Sequence, residues 1–150
     1  MRRHKIVVQK IMRSCWTPSH AQLQRWINKA LQNKYESVEL TLRIVDEQES
    51  ANLNQRYRNK TGPTNILSFM FDCEYKTDPL ILGDLVICPP LLVHEAKEQE
   101  KSLEAHWAHL VIHGILHLLG HDHETEKSAK EMEMLEIQLL KELKYENPYE

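Results

Sequence analysis

Apolar positions in the first part of the chain predict a short strand followed by an amphipathic helix. KIVVQKI at residues 5–11 is short and β-branched, which is typical of a strand. Residues 17–34 then place apolar side chains at helical spacing, and Thr17 is the predicted N-cap with Pro18 in the first turn. The predicted buried stripe of this helix consists of Leu23, Trp26, Ile27, Ala30 and Leu31.

The pattern changes to a period of two in SVELTLRIVD, residues 37–46, where apolar and polar side chains alternate. This alternation predicts a half-buried strand. Asp46 then stands where it can cap a second helix, which we expect over residues 47–59. The following KTGPTN contains glycine and proline and is predicted to be a loop.

Two further strands and three helices are predicted in the rest of the chain. ILSFMF and LILGDLVIC are rich in strand-forming residues, and Phe69 and Phe71 are expected in the core of the first of them. The chain becomes helical from Pro89, with a break near Lys101 and Ser102, and a last helix is expected over residues 126–144. This order favours an α+β fold, in which a small mixed sheet of about four strands packs with helices on one side.

Length and composition narrow the class of protein. The 150 residues match the usual size of one domain, so we expect a single domain over residues 1–150. The formal net charge of −3 argues against a general basic field for nucleic acid. A local basic groove, formed by the N-terminal segment with Arg56, Arg58 and Lys60, stays open as a hypothesis.

The cysteines and the hydropathy pattern favour a cytoplasmic protein. Cys15, Cys73 and Cys88 are odd in number and widely spaced, so they indicate neither a disulfide framework nor a thiolate metal site. The most apolar stretch is interrupted by histidines and is well short of the roughly 20 residues that span a membrane. We therefore expect a cytoplasmic protein without a membrane segment.

The densest candidate chemistry is HGILHLLGHDH at residues 113–123. His113 and His117 are four apart, so on a helix they lie one above the other on the same face. On a continued helix His123 would point away, but Gly120 can end the helix in the left-handed conformation and return the chain. The spacing predicts that His113, His117 and His123 hold one metal ion.

Three imidazoles leave one tetrahedral position open, which is typical of catalytic rather than structural zinc. Zinc can lower the pKa of water at such a position to about 7. Imidazole ligands also suit nickel and copper, so zinc is the expected ion and another transition metal remains an alternative. His109 is expected to be a hydrogen-bonded neighbour of the site, and Asp122 can either orient a ligand imidazole or cap the next turn.

The spacing H-x-x-x-H-x-x-G-x-x-H is that of the metzincin proteases, whose motif begins H-E and supplies a general base. Gly114 stands in place of that glutamate, so peptidase chemistry lacks its usual base. HGILHLLGHDH instead resembles the motif of the YbeY family of endoribonucleases. The segments LNQRYRNKTGPTNILSFMF and LGDLVIC are also similar to that family, and the resemblance runs from about Val38 to Leu140. Asn65 and His121 depart mildly from the family pattern, since aspartate and an aromatic residue are common there.

The resemblance implies a mixed sheet with helices, a metal held by the three motif histidines, and an arginine, Arg58, that acts in RNA cleavage. It implies a zinc-dependent, single-strand-specific endoribonuclease in rRNA maturation, including the 3′ end of 16S rRNA, and in ribosome quality control. Expected partners are single-stranded rRNA, ribosomal particles and ribosomal proteins. By its residue type and position alone, Arg58 reads as a surface arginine at a helix end.

Two alternatives are a zinc metallopeptidase-like hydrolase and a non-catalytic ribosome-assembly factor whose metal stabilises the fold. The small size of Gly114 can serve either close packing against the sheet or room for substrate.

Overall fold

The computed structural model describes residues 3–71 and 77–150, so Cys73 lies outside the described residues. Strands and helices follow one another in the predicted order. The strands are β1 (Arg3–Lys10), β2 (Ser37–Ile44), β3 (Ile66–Met70) and β4 (Leu80–Ile87). The helices are α1 (His20–Leu31), α2 (Glu47–Arg58), α3 (Pro89–Glu98), α4 (Leu103–Leu118) and α5 (Glu126–Glu142).

The four strands form one mixed sheet in the order β1-β2-β4-β3. β1 pairs parallel to β2, and β2 pairs parallel to β4, while β3 runs antiparallel to β4. The predicted α+β class with a small mixed sheet is therefore confirmed. β1 and β3 lie at opposite edges, and this separates the N-terminal strand from α2 and β3.

The main core lies between one face of the sheet and helices α1, α4 and α5. The inward side chains of β2 are fully buried, as their period-two pattern predicts. The predicted stripe of α1 is buried as well, and Trp26 and Ile27 have no exposed surface. At about 0.8 kcal/mol for each buried methylene, this apolar contact is the main stabilising term of the fold.

Helix α2 packs on part of the opposite face of the sheet, so the expectation that all helices lie on one side is wrong. Leu67 and Val86 point away from the main core because they alternate with Ile66 and Leu85 along their strands. They form a second cluster with Val45, against which Leu53 of α2 packs. This contact fixes α2 beside β3, the arrangement on which the site depends.

The predicted helix boundaries are partly confirmed. Asp46 caps α2 by accepting a hydrogen bond from the Glu49 amide at 2.8 Å, and Ser102 caps α4 after the predicted break. Thr17 is not the cap of α1, because Ser19 and Gln22 form a capping box there instead.

The prediction for the two phenylalanines of ILSFMF holds only for one of them. Phe69 is half-buried against the second cluster, whereas Phe71 is 46% exposed.

No helix among the described residues combines the length and the apolar run that a bilayer crossing requires.

Candidate metal centre and active site

The end of α4 brings the third histidine back towards the first two. Gly120 has φ of 103° and donates its amide hydrogen to the His117 carbonyl at 3.0 Å. The His121 amide donates to the Leu116 carbonyl at 3.0 Å, which completes a Schellman motif. The helix therefore ends where the sequence predicts, and the chain turns back along its last turn.

The three imidazole rings form a compact triangle. The ring centroids of His113 and His117 are 4.6 Å apart, and those of His123 lie 4.9 Å and 5.0 Å from them. One ligand atom from each ring falls within 4.8 Å of the other two. The Nε2 atoms of His113 and His117 are 3.1 Å apart, close to the roughly 3.3 Å that two tetrahedral zinc ligands subtend. The residues present therefore fit a metal ion.

The electrostatics of the triangle favour a neutral His117. Burial lowers the pKa of His117 to about 4, and the neighbouring His113 and His123 lower it in the same direction. A neutral imidazole keeps the lone pair that a metal accepts. His117 is therefore ready to bind an ion at neutral pH without losing a proton.

A carboxylate from another helix orients His113, the first of the three candidate metal ligands. Glu136 of α5 is fully buried, and its carboxylate accepts a hydrogen bond from Nδ1 of His113. With that nitrogen occupied, Nε2 of His113 is the atom that faces His117. Asp122, for which the sequence left two roles open, accepts from the Glu124 amide at 3.1 Å and so caps the turn.

Glu136 also holds two other groups, and sequence reasoning missed this network. Its carboxylate contacts Nε2 of His109 at 3.2 Å and accepts from the Tyr149 hydroxyl. Burial alone would raise the pKa of Glu136, but hydrogen bonds from His109 and His113 outweigh it and lower the pKa to about 2. The carboxylate therefore stays charged, and His109 is the hydrogen-bonded neighbour that was expected.

Gly114 serves close packing against the sheet. A Cβ atom at this position would lie 2.8 Å from methyl groups of both Ile66 and Leu85. The place where a metzincin carries its glutamate is therefore filled by the side chains of β3 and β4. The structure thus decides between the two roles that the sequence left open.

Arg58 lies in the same cleft as the three histidines. It is the last residue of α2, and its exposed side chain lines a cleft of about 690 Å³ between α2, β3 and the turn after α4. Within the described residues, no hydrogen bond or ion pair engages its guanidinium group. Among the described residues, neither the N-terminal strand nor Lys60 lines this cleft, so the predicted basic groove is not part of it.

A polar chain behind β3 accounts for one departure from the family pattern. The Asn65 amide donates to both oxygens of Glu95, at 3.1 Å and 3.2 Å, and His106 contacts the same carboxylate at 2.8 Å. Asparagine can donate here, whereas an ionised aspartate would place two carboxylates in contact.

A second cleft, of about 670 Å³, lies at the C-terminal residues and contains none of the three histidines.

The fold and the triangle of imidazoles define a small α+β protein with a histidine site that can hold a metal ion. The chain matches the family described as Endoribonuclease YbeY over residues 10–144. It is also 51% identical over 135 residues to the Endoribonuclease YbeY of Nitrosococcus oceani, covering 89% of this chain and 88% of that protein. The chain therefore belongs to the YbeY family, and its activity is that of an endoribonuclease on RNA.

A solved structure has the same fold. The solution structure of TM1509 from Thermotoga maritima superimposes with a TM-score of 0.58, covers 94% of this chain and 91% of its own, and is 23% identical. At that identity the comparison supports the arrangement of sheet and helices and nothing further.

Proposed function

We propose that the protein is a zinc-dependent endoribonuclease that cleaves single-stranded rRNA in the cytoplasm during ribosome maturation, including the 3′ end of 16S rRNA, and in ribosome quality control. The observation that carries the proposal is the convergence of three imidazoles and one unpaired guanidinium group on a single cleft. Ribosomal particles and ribosomal proteins are the proposed partners. Membership of an endoribonuclease family supports the RNA substrate.

The proposed metal ligands are His113, His117 and His123. Zinc held by three imidazoles would supply a Lewis acid with one open position, which can activate water and polarise a phosphoryl oxygen. The residues of the chain prepare this position: the hydrogen bond to Glu136 fixes the tautomer and the orientation of the His113 ring. A nickel or copper ion suits the same ligands and is the alternative.

The proposed partner of the scissile phosphate is Arg58. A guanidinium group is always charged and can donate two parallel hydrogen bonds to phosphate oxygens. Because no hydrogen bond or ion pair in the described part of the chain occupies this group, it is available to bind a phosphate and to stabilise the charge that develops on it.

The packing of Gly114 weighs against the peptidase alternative. A carboxylate base at that position would have to displace the methyl groups of Ile66 and Leu85. The remaining alternative, an assembly factor with a structural metal, predicts that the protein binds RNA without cleaving it.

The test is cleavage of an end-labelled, single-stranded rRNA fragment by the zinc-loaded protein. Wild type is compared with His113→Ala and Arg58→Gln, and the zinc content of each preparation is measured. Arg13→Gln serves as the matched control, since this exposed arginine does not line the cleft. We expect wild type and Arg13→Gln to cleave, Arg58→Gln to retain zinc but lose cleavage, and His113→Ala to lose both.

Equal cleavage by all four proteins would indicate a contaminating nuclease and would overturn the proposal. RNA binding without cleavage by the zinc-loaded wild type would favour the assembly factor. An unchanged rate in Arg58→Gln alone would remove the guanidinium group from the mechanism and leave the metal site.

A further inference from the structure

An apolar rim borders the cleft on the side of α2 and β3. It consists of Tyr57, Phe69, Met70 and Phe71, and the first three of these line the cleft itself. Tyr57 is 57% exposed, Met70 is 59% exposed and Phe71 is 46% exposed. Seven large apolar side chains are exposed in the described part of the chain, and two of them, Tyr57 and Met70, line this cleft. Such a concentration beside a cleft is typical of a binding surface.

The Tyr57 ring is held in place although more than half of it faces solvent. The Phe69 ring packs against it in a T-shaped arrangement, with centroids 5.2 Å apart and an interplanar angle of 71°. The guanidinium carbon of Arg56 lies 5.5 Å from the Tyr57 centroid, within the range of a cation–π contact. A supported ring loses little conformational entropy when a flat ligand stacks on it.

The position of the ring relative to the cationic groups favours RNA as its ligand. Tyr57 directly precedes Arg58, and both line the cleft that contains the three histidines. A nucleotide offers a flat base and a phosphate on one flexible unit, so one ligand can engage both side chains. A peptide segment would use the exposed apolar surface but would leave the guanidinium group without an anion.

Stacking is also the interaction that this cleft needs for affinity. The chain has a net charge of −3, and the acidic Asp122 lines the cleft together with Arg58. Besides the proposed zinc ion, Arg58 is the one arginine or lysine side chain among the described residues that lines this cleft, so phosphate attraction here depends on few cationic groups. Base–aromatic stacking does not depend on net charge and tolerates any base.

We propose that Tyr57, supported by Phe69 and Arg56, stacks an unpaired base of the RNA substrate beside Arg58 and thereby contributes to substrate affinity. This inference rests on the proposed endoribonuclease function, because the ligand is the substrate of that reaction. The bases of a duplex already stack on one another and cannot offer a free face to the ring. The Tyr57 ring is thus a source of selectivity for single strands.

The decisive variant is Tyr57→Leu, which keeps an apolar side chain over Phe69 but removes the flat ring. Tyr57→Trp restores a ring, and Met134→Ala removes an exposed apolar side chain that does not line the cleft. Each zinc-loaded protein is mixed rapidly with single-stranded RNA that carries 2-aminopurine at one position, and the fluorescence is read before cleavage. KM and kcat are then measured on the same RNA.

Loss of one stacked base corresponds to an affinity loss of about 5-fold to 150-fold. We therefore expect Tyr57→Leu to raise KM within that range, to change kcat little, and to abolish the fluorescence change at one nucleotide position. Tyr57→Trp and Met134→Ala should behave like wild type. The slope of affinity against salt concentration should be unchanged in Tyr57→Leu, because no phosphate contact is lost.

Wild-type KM and fluorescence in Tyr57→Leu, with cleavage intact, would overturn the stacking role and leave the proposed function standing. That result would assign the apolar rim to a protein partner. Absence of cleavage by the zinc-loaded wild type is a different outcome, since it would defeat the proposed function and the stacking role together.

Discussion

We expect the hydrogen bond between Glu136 and His113 to make metal affinity depend on a residue outside the proposed ligand set. In Glu136→Gln the side chain keeps its shape and one acceptor oxygen, but the other oxygen becomes a donor. The buried carboxylate now serves three donors, on His109, His113 and Tyr149. The amide N–H₂ group of glutamine would therefore point at one of these three donors and could not accept its hydrogen bond. The His113 ring then loses its fixed orientation or its tautomer.

The expected magnitude follows from the role of the carboxylate. Removing the hydrogen-bond partner of a ligand histidine typically costs 10-fold to 100-fold in metal affinity, or about 1.4–2.7 kcal/mol. Leaving a buried polar group unpaired costs about 1–3 kcal/mol of unfolding free energy. Both changes are large enough to measure in a protein whose three proposed metal ligands are unchanged.

The assay is competition for zinc between the metal-free protein and a chromophoric chelator, combined with urea unfolding. Glu131→Gln is the matched control, because it makes the same substitution on an exposed residue of the same helix. We expect Glu136→Gln to bind zinc at least 10-fold more weakly and Glu131→Gln to match wild type. A Glu136→Gln protein that is folded and binds zinc within about twofold of wild type would refute the reasoning.

Three other changes test the turn that positions His123, the hydrogen bonds of Asn65 and the role of the metal. Gly120→Ala places a side chain at a left-handed backbone position, so urea unfolding should show a loss of about 1–2 kcal/mol of unfolding free energy. Chelator competition should also show weaker zinc binding, because this turn positions His123. Gly62→Ala is the matched control for Gly120→Ala: at φ of 88° it should lower the unfolding free energy by a similar amount and leave zinc affinity unchanged. Asn65→Asp should lower the unfolding free energy at pH 7 by about 1–3 kcal/mol, because it replaces the donor to Glu95 with a like charge. Burial raises the pKa of Glu95, but hydrogen bonds from His106 and Asn65 outweigh burial, so the pKa in the folded protein lies below the ordinary value of 4.5. The ionised Glu95 therefore stabilises the fold above pH 4.5, and this stabilisation is lost as the pH falls through the pKa of the folded protein. The deficit of Asn65→Asp should therefore shrink in acid, and an equal deficit at pH 7 and pH 3 would contradict the assignment. Removing zinc with a chelator should abolish cleavage and leave the circular dichroism spectrum native, since the main core is built from apolar side chains and includes none of the three histidines; unfolding on chelation would instead indicate a structural metal.

Much of the fold and the candidate metal ligands could be predicted because they depend on short-range patterns. The alternation in residues 37–46 predicts which side chains of β2 face the core, and the cap at Asp46 needs only the amide of Glu49. The convergence of His123 on His113 and His117 follows from helical spacing and one left-handed glycine. The contacts that decide these features lie within a few residues along the chain.

Other parts of the site depend on how distant elements pack. Glu131, Glu133 and Glu136 are chemically equal in the sequence, and only the docking of α5 on α4 buries Glu136 against a histidine 23 residues earlier. The same holds for Gly114, whose small size is explained by side chains of two strands. No local pattern encodes such contacts, because each is set by the surfaces that meet.

The placement of Arg58 and the exposure of Tyr57 also come from tertiary structure. Both residues end a helix whose position is set by a second apolar cluster on the outer face of the sheet, a cluster that single-strand periodicity does not reveal. The sequence by itself determined the strands, the helices and the spacing of the histidines. Only the tertiary structure decided that a guanidinium group and an aromatic ring share their cleft, because the cleft joins α2 and β3 to the turn after α4, which is far from them in the chain.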